Sequence, residues 1–251
     1  MPDSALHARV LQAARNNAVW CDTVCRTHGI PGEFHLSMWI NRSATPPFYP
    51  NAVTLADGHD QDVQYAHIRD LIAACIPGAW AVKDSFAALD LAPLGFRMLF
   101  EAMWIYQPAT AVRPTERNTD VQWERISTPA ELHAWERAWR GASAEPATPA
   151  QADLFRPALL ADSNVLIAGA YHQQRIVAGA IANRTGAAVG ISTVFVPNQG
   201  ADAFWADCVG MILDHFPDQA LVGYEAVEGL AHAEACGFTA IQPLRVWEIV
   251  T

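Results

Sequence analysis

"VFVPNQGADAFWADCV", residues 194–209, joins an apolar run to a polar turn and then to a segment with apolar residues at helical spacing. It reads as a buried strand, a tight turn and an amphipathic helix. A strand that runs into a helix N-terminus presents unpaired backbone N–H groups and a partial positive charge, which together suit a phosphate. Either this junction holds a phosphate-bearing cofactor, or "NQGAD" is only a turn and a helix cap. Asp202 sits where an N-cap belongs if the helix starts at Ala203. A carboxylate there would occupy the N–H groups and repel an anion.

The flanks decide the fold. Upstream, "NVLIAGAY" (164–171), "RIVAGAIAN" (175–183) and "AAVGISTVFV" (187–196) are strands separated by the turns "HQQ" and "RTG". Connections that short require antiparallel neighbours. Downstream, a helix over 203–216 and a strand over 220–226 complete a βαβ unit, which must be parallel and right-handed. A helix from Glu228 to Cys236 stops at Gly237, with Phe238 covering its end, and a last strand runs through "AIQPLRVWEIV". Ahead of the meander stand a strand (121–126) and a helix with Thr128 as N-cap and Pro129 at its first position. A Pro/Ala/Ser loop (141–148) and a short helix follow. The expected class is α+β, a mixed antiparallel and parallel sheet with helices on both faces.

The first half reads as a shorter version. A helix over 4–28 ends at Gly29, Pro31 and Gly32, and strands over 34–40 and 52–56 flank the turn "SATPPFYPN". A helix over 62–75 shows a core face of Ile68, Leu71, Ile72 and Cys75, and strands "AWAVKDSF" and "RMLFEAMWIY" close the half. "YQPATAVRPTERN" (106–118) has two prolines and no periodicity, so it reads as a linker between domains 1–115 and 116–251. The two halves repeat faintly: residues 79–105 and 220–249 each give a strand, a helical or irregular turn, Gly-Phe, and a strand containing Trp. Gly95 and Gly237 lie 142 residues apart.

Composition narrows the partners. The net charge is −10, and residues 116–251 carry 8 basic against 16 acidic groups. Nucleic-acid binding needs clustered Lys and Arg to displace counterions, so no nucleic-acid partner is expected. No apolar run approaches signal-peptide or membrane-span length, and five cysteines in apolar surroundings fit buried thiols in a cytoplasmic protein.

The order strand, helix, helix, three-strand meander, helix, strand, helix, strand resembles the GNAT superfamily of acyl-CoA-dependent N-acyltransferases. So do the "VFVP" entry to the loop and Gly237-Phe238 after the last helix. The resemblance covers about residues 120–250, and the first half looks like a degenerate copy of the same fold. It implies acyl transfer, with acetyl-CoA or another acyl-CoA as co-substrate and an amine of a small molecule or peptide as acceptor. In that superfamily the cofactor pyrophosphate lies on backbone N–H groups of a loop written Gln/Arg-x-x-Gly-x-Gly/Ala. Here the resemblance places the cofactor against Phe195, Val196, Gln199, Gly200, Ala201 and Ala203. The sequence departs from the pattern: counted from Gln199, the glycine positions hold Asp202 and Phe204, so only Gly200 is left.

Superfamily members often place a Tyr general acid four residues before the Gly-Phe pair, and that position here is Ala233. Acyl transfer from a thioester to an amine needs a base for the ammonium proton and a donor for the leaving thiolate. Glu225 or His232 is the candidate base and Tyr224 the candidate donor. Backbone N–H groups at Phe195 or Val196 could polarise the carbonyl. The alternatives are structural: Tyr224 a half-buried strand residue, Glu225 a strand-end charge, His232 a solvated helix residue. The rival function is an acyltransferase-fold protein that binds a ligand or partner without turnover.

Other clusters read as structural. Cys21, Cys25 and His28 share a helix face but lack a fourth metal ligand, and "DGHDQD" (57–62) lacks calcium-loop spacing, so no metal is expected. Lys83, the only lysine, is a weak nucleophile candidate. Trp39, Phe48, Tyr49, Trp80 and Trp104 are core candidates, with the "TPPFYP" loop as a possible acceptor wall.

Overall fold

A computed structural model describes residues 4–111, 118, 120–141 and 153–249. Most of the linker reading beyond residue 111, and all but the first residue of the loop reading over 141–148, lie outside the described residues. In chain order the elements are α1 (Ser4–Thr27), β1 (Glu33–Phe34), β2 (Met38–Ile40), β3 (Ala52–Thr54), α2 (Gln61–Ala73), β4 (Ala81–Asp84) and β5 (Phe96–Gln107). Then come β6 (Gln122–Arg125), α3 (Pro129–Trp139), β7 (Val165–His172), β8 (Arg175–Thr185) and β9 (Ala188–Phe195). The chain ends with α4 (Ala201–His215), β10 (Ala220–Glu225), α5 (Val227–Ala235) and β11 (Thr239–Ile249). The α+β class with mixed strand pairing is as expected from the sequence.

Contacts divide the chain into two compact units, one of residues 1–105, 224–228 and 240–251, the other of residues 106–223 and 229–239. In the first, the strand order is β1-β2-β3-β4-β11-β5. β3 and β4 are parallel, with Ala52 opposite Val82 and Val53 opposite Lys83, and α2 makes the crossover between them. β11 runs antiparallel to β4, Trp247 opposite Val82. Its Arg245 and Glu248 pair with Glu101 (3.0 Å) and Arg97 (2.7 Å) of β5. Met38, Ile40, Ile68, Leu71 and Val82 are wholly buried around Trp80 and Phe96, whose rings meet edge to face at 5.1 Å.

Two local readings change here. The expected single strand over 34–40 is a hairpin: Phe34 faces Trp39, and the His35 N–H donates to the Met38 carbonyl at 2.8 Å. Leu36 at its tip is fully exposed, which a buried strand would not allow. The helix expected to reach Cys75 ends at Ala73, and Cys75 turns outward with φ of 51° instead of joining the core face.

The second unit has strand order β10-β9-β8-β7-β6. β6 to β9 are antiparallel neighbours, and β10 is parallel to β9 through the crossover α4. α3 begins as its sequence predicts: the Thr128 hydroxyl accepts the Glu131 N–H, and the Glu131 carboxylate accepts the Thr128 N–H. The N–H groups of Ser127 first and Thr128 second, both donating to that carboxylate, hold the Glu131 carboxyl below its ordinary value. α3 lays the fully buried Trp135 on β7 and β8, where Gly169 and Gly179 face each other across the ladder. The indole N–H donates to the Ala168 carbonyl at 2.8 Å.

The Gly-Phe pairs of the two units share one backbone form. Gly95 and Gly237 have φ of 88° and 90°, and the N–H groups of Phe96 and Phe238 reach back to the carbonyls of Leu91 (3.2 Å) and Ala233 (3.1 Å). This is the left-handed helix stop that the sequence predicts after α5. Each unit thus contains a parallel strand pair, a crossover helix and a glycine-stopped turn.

The β7–β8 turn carries strain. Gln173 and Gln174 have φ of 47° and 64°, the left-handed values that a two-residue hairpin turn requires and that glycine or asparagine would meet without a Cβ penalty. Gln174→Gly is expected to raise the unfolding free energy by about 1 kcal/mol. Urea denaturation checks this, and a midpoint unchanged or lowered would show that the turn is unstrained. Among the described residues, no helix is long and apolar enough to cross a membrane.

Candidate functional site

The turn from β9 into α4 lies wholly in the second unit. Down most of the ladder β9 and β8 advance residue for residue, from Thr185 opposite Ala188 to Ile181 opposite Ser192. The next pair is Gly179 opposite Phe195, so β9 holds one extra residue there, and Thr193 takes φ of 53°. Such a bulge bends the strand and re-aims the residues that follow. β10 pairs with β9 from Ala188 to Gly190. The bulged end of β9, from Ser192 to Phe195, is half-buried.

Phe195 and Val196 use their side chains for packing. The Phe195 ring stands edge-on to Trp135 at 5.3 Å, and Val196 packs with Ala170, Ala178 and Phe204. Gln199 and Gly200 are exposed, Ala203 is half-buried and Ala201 is buried. Gly200, with φ of 76°, is the N-cap of α4, and no side chain caps the helix. Its carbonyl accepts the N–H groups of Ala203 (3.1 Å) and Phe204 (3.3 Å). The N–H groups of Gly200, Ala201 and Asp202 are the donors that the helix start leaves open. A Cβ on Gly200 would meet nothing within 4 Å, so the space beside it is clear.

Asp202 differs from its sequence reading. The helix starts two residues earlier than expected, which puts Asp202 in the first turn and not at the cap. Its carboxylate lies 2.5 Å from His232 Nδ1 on α5 and not over the helix N–H groups. His232, expected as a solvated residue or a lone base, is therefore a partner of Asp202. Because the carboxylate accepts, Nδ1 carries the hydrogen, and in the neutral imidazole Nε2 then keeps its lone pair. Both groups remain reachable from solvent, at 38% and 63% side-chain exposure. A base oriented by a carboxylate is a recurrent catalytic pairing. The sequence offered no local sign of it, because the two residues lie thirty positions apart on different helices.

Tyr224 and Glu225 end β10 and group with the first unit. Both are half-buried. The Tyr224 ring stands edge to face with Trp104 at 5.7 Å and covers the Lys83 ammonium at 4.0 Å. Lys83 is 4% exposed and donates to Asn17 Oδ1 at 3.0 Å, so the single lysine is a buried, partnered cation. Trp39, Trp80 and Trp104 are core residues, while Phe48 of the "TPPFYP" loop is 79% exposed. Ala233 is buried and serves the helix stop.

Among the described residues, no three of His, Cys, Asp or Glu gather as metal ligands. Cys21 and Cys25 sit in the core with Trp39 and Val53, and burial pushes their thiols up to about 11 and about 12. Burial raises Cys208 as well, and Cys236 is buried, which leaves Cys75 as the exposed thiol. A thiol reacts as its thiolate. Titration of the native protein with a chromogenic disulfide is expected to count one fast thiol and, after denaturation, five. Two or more fast native thiols would show that the cores around α1 or α4 open readily.

Solved structures share this architecture. The fold is that of the GCN5-related N-acetyltransferases. A GCN5-related N-acetyltransferase from Kribbella flavida superposes with a TM-score of 0.61 at 12% identity, over 95% of this chain and 96% of its own. A GCN5-related N-acetyltransferase-like protein from Streptococcus suis gives 0.52 at 14%, over 96% and 98%. A tandem GNAT protein from the clavulanic acid biosynthesis pathway gives 0.53 at 15%, over 84% and 81%. No protein-family model and no curated protein matches the sequence. At such identities the likeness is one of fold.

Proposed function

We propose that this chain is an acyl-CoA-dependent N-acyltransferase, with acetyl-CoA as the first co-substrate to test and an amine of a small molecule or peptide as acceptor. The observation that carries the reading is the bulged end of β9 running into a helix whose cap is a bare, left-handed glycine. Open backbone donors at Gly200, Ala201 and Asp202 suit a pyrophosphate, with Gln199 and Ala203 bordering them. Backbone N–H groups at Phe195 and Val196 are the proposed donors to the thioester carbonyl.

In the reaction, the amine nitrogen attacks the carbonyl carbon, a C–N bond forms, the C–S bond breaks, and the thiolate leaves. The acceptor arrives as an ammonium ion and must first lose a proton. His232 Nε2 is the proposed base, held in the correct tautomer by Asp202, and the proton that the attacking nitrogen sheds goes to the thiolate.

Asp202 has two opposed effects under this reading. Its charge stands in the first turn of α4, where it competes with a bound anion, and it also orients His232. Asp202→Asn is therefore expected to tighten acetyl-CoA binding about fivefold, the effect of one exposed charge at a helix terminus being up to about 1 kcal/mol. It is expected to slow turnover by about a hundredfold, as loss of an oriented general base does. Calorimetry gives the first number, and thiol release across a panel of small amines and peptides gives the second. A second reading rests on the same residue: a carboxylate in the first turn and a single loop glycine fit a protein that binds a ligand or partner without turnover. If neither wild type nor variant binds acetyl-CoA at millimolar concentration, that second reading stands.

A further inference from the structure

The first unit contains a pocket of about 640 Å³ that the acyl-transfer reading does not use. It is framed by α1 through Arg15, by the β1–β2 hairpin through Phe34 to Ser37, and by α2 through Val63 and His67. Its polar groups are unusually idle. The Arg15 guanidinium carbon lies over the Phe34 ring, 4.3 Å from its centroid, and no carboxylate pairs with it among the described residues. Ser37 is 3% exposed, yet its hydroxyl has no hydrogen-bond partner. The His35 and His67 rings meet at a tilt with centroids 4.4 Å apart, and His35 Nε2 lies 3.4 Å from Glu33 Oε2 without a hydrogen bond. Glu33 is itself held by Arg42 at 3.1 Å.

A guanidinium without an ion-pair partner keeps N–H donors for a ligand, and its planar fork can grip a carboxylate with two bonds. The rest of the lining is apolar and exposed: Leu36 stands fully in solvent, Val63 is 51% exposed and Phe34 38%. One permanent cation beside apolar walls suits a monoanion with a hydrophobic body better than a compact dianion. Burial first, and then the neighbouring His35, hold His67 below its ordinary value, so it supplies a neutral imidazole and not a second cation.

We propose that this pocket binds an organic carboxylate carrying an aromatic or branched apolar group. Its acid is gripped by Arg15, with the imidazole of His67 alongside. Phe34, Leu36 and Val63 cover the apolar body. Such an acid can arrive free or as the C-terminus of a peptide. The proposal is independent of the acyl-transfer reading, since it uses no residue of the β9–α4 turn.

The test uses the full chain with four probes: phenylacetate, a short peptide ending in a free phenylalanine carboxylate, the same peptide amidated, and inorganic phosphate. Calorimetry is expected to give a dissociation constant of about 1 mM or tighter for phenylacetate or for the free peptide, whichever source the pocket serves. The amidated peptide is expected not to bind. Arg15→Gln is expected to weaken binding at least tenfold, and Arg15→Lys, which keeps the charge but loses the fork, nearly as much. Arg15 is exposed on α1, so both variants are expected to keep the wild-type melting curve. Silence from both free carboxylates at millimolar concentration, or phosphate binding as tightly as phenylacetate, overturns the proposal. So does binding that survives Arg15→Gln.

Discussion

Glu136→Gln is expected to lower the unfolding free energy by about 3 kcal/mol, a large effect for an isosteric change. Glu136 lies on α3 and is 3% exposed. Its Oε1 accepts Arg140 Nε (3.0 Å), Arg140 Nη2 (2.5 Å) and the Leu154 N–H (2.9 Å), and its Oε2 accepts the Phe155 N–H (3.0 Å). Every neighbour is a donor. An amide has one accepting oxygen and one donating nitrogen, so either way round it turns a donor toward a donor. Loss of the charge weakens the remaining bonds as well. The consequence reaches the core, because Glu136 holds the backbone that carries Phe155 against Trp135 (5.7 Å) and Trp139 (5.8 Å). Urea melts of Glu136→Gln, Arg140→Gln and the double variant measure the coupling. A cost below about 1 kcal/mol for Glu136→Gln would mean that water or a side-chain shift satisfies the donors, and that the clamp is weaker than its geometry.

Much of the architecture was legible because it is written locally. Thr128-Pro129 with Glu131 marks a helix start, Gly237-Phe238 marks a helix stop, and three apolar runs joined by two short turns must be antiparallel. The misreadings fall where tertiary contact overrides local pattern. The run over 34–40 is apolar enough for one strand, but a hydrogen bond from His35 to Met38 folds it into a hairpin. Nothing local announces that β11 lies beside β4, since that register joins residues about 160 positions apart. At the candidate site, the single glycine of the loop was readable and its role as the cap was not. Asp202 has the chemistry of an N-cap, and only the arrival of His232 from α5 shows where its carboxylate goes instead. The bulge in β9 has no sequence signature, because Thr193 is not a residue that favours a left-handed φ.

The bulge and the packing beneath it meet at Gly179, and Gly179→Ala is expected to cost about 3 kcal/mol. A Cβ built there would lie 2.4 Å from Trp135 Nε1, 2.8 Å from the Ala168 carbonyl oxygen and 2.7 Å from a ring carbon of Phe195. The first two atoms are the ends of one buried hydrogen bond, so a single methyl would land on both donor and acceptor. Backbone cannot retreat cheaply in the middle of a paired ladder, and Trp135 is wholly buried, so the indole must move and leave its N–H unsatisfied. The third contact links stability to the site. Phe195 is the residue opposite Gly179 at the bulge, and displacing its ring shifts the strand end that leads to Gly200. Trp135→Phe removes the indole N–H and part of the bulk, so the double variant is expected to recover about half of the Gly179→Ala loss. Chemical denaturation of the single and double variants decides it. If Gly179→Ala is within 1 kcal/mol of wild type, the sheet has room that these distances deny, and the close approach of Trp135 is not what holds α3 to β8. Strictly additive losses in the double variant would lead to the same conclusion.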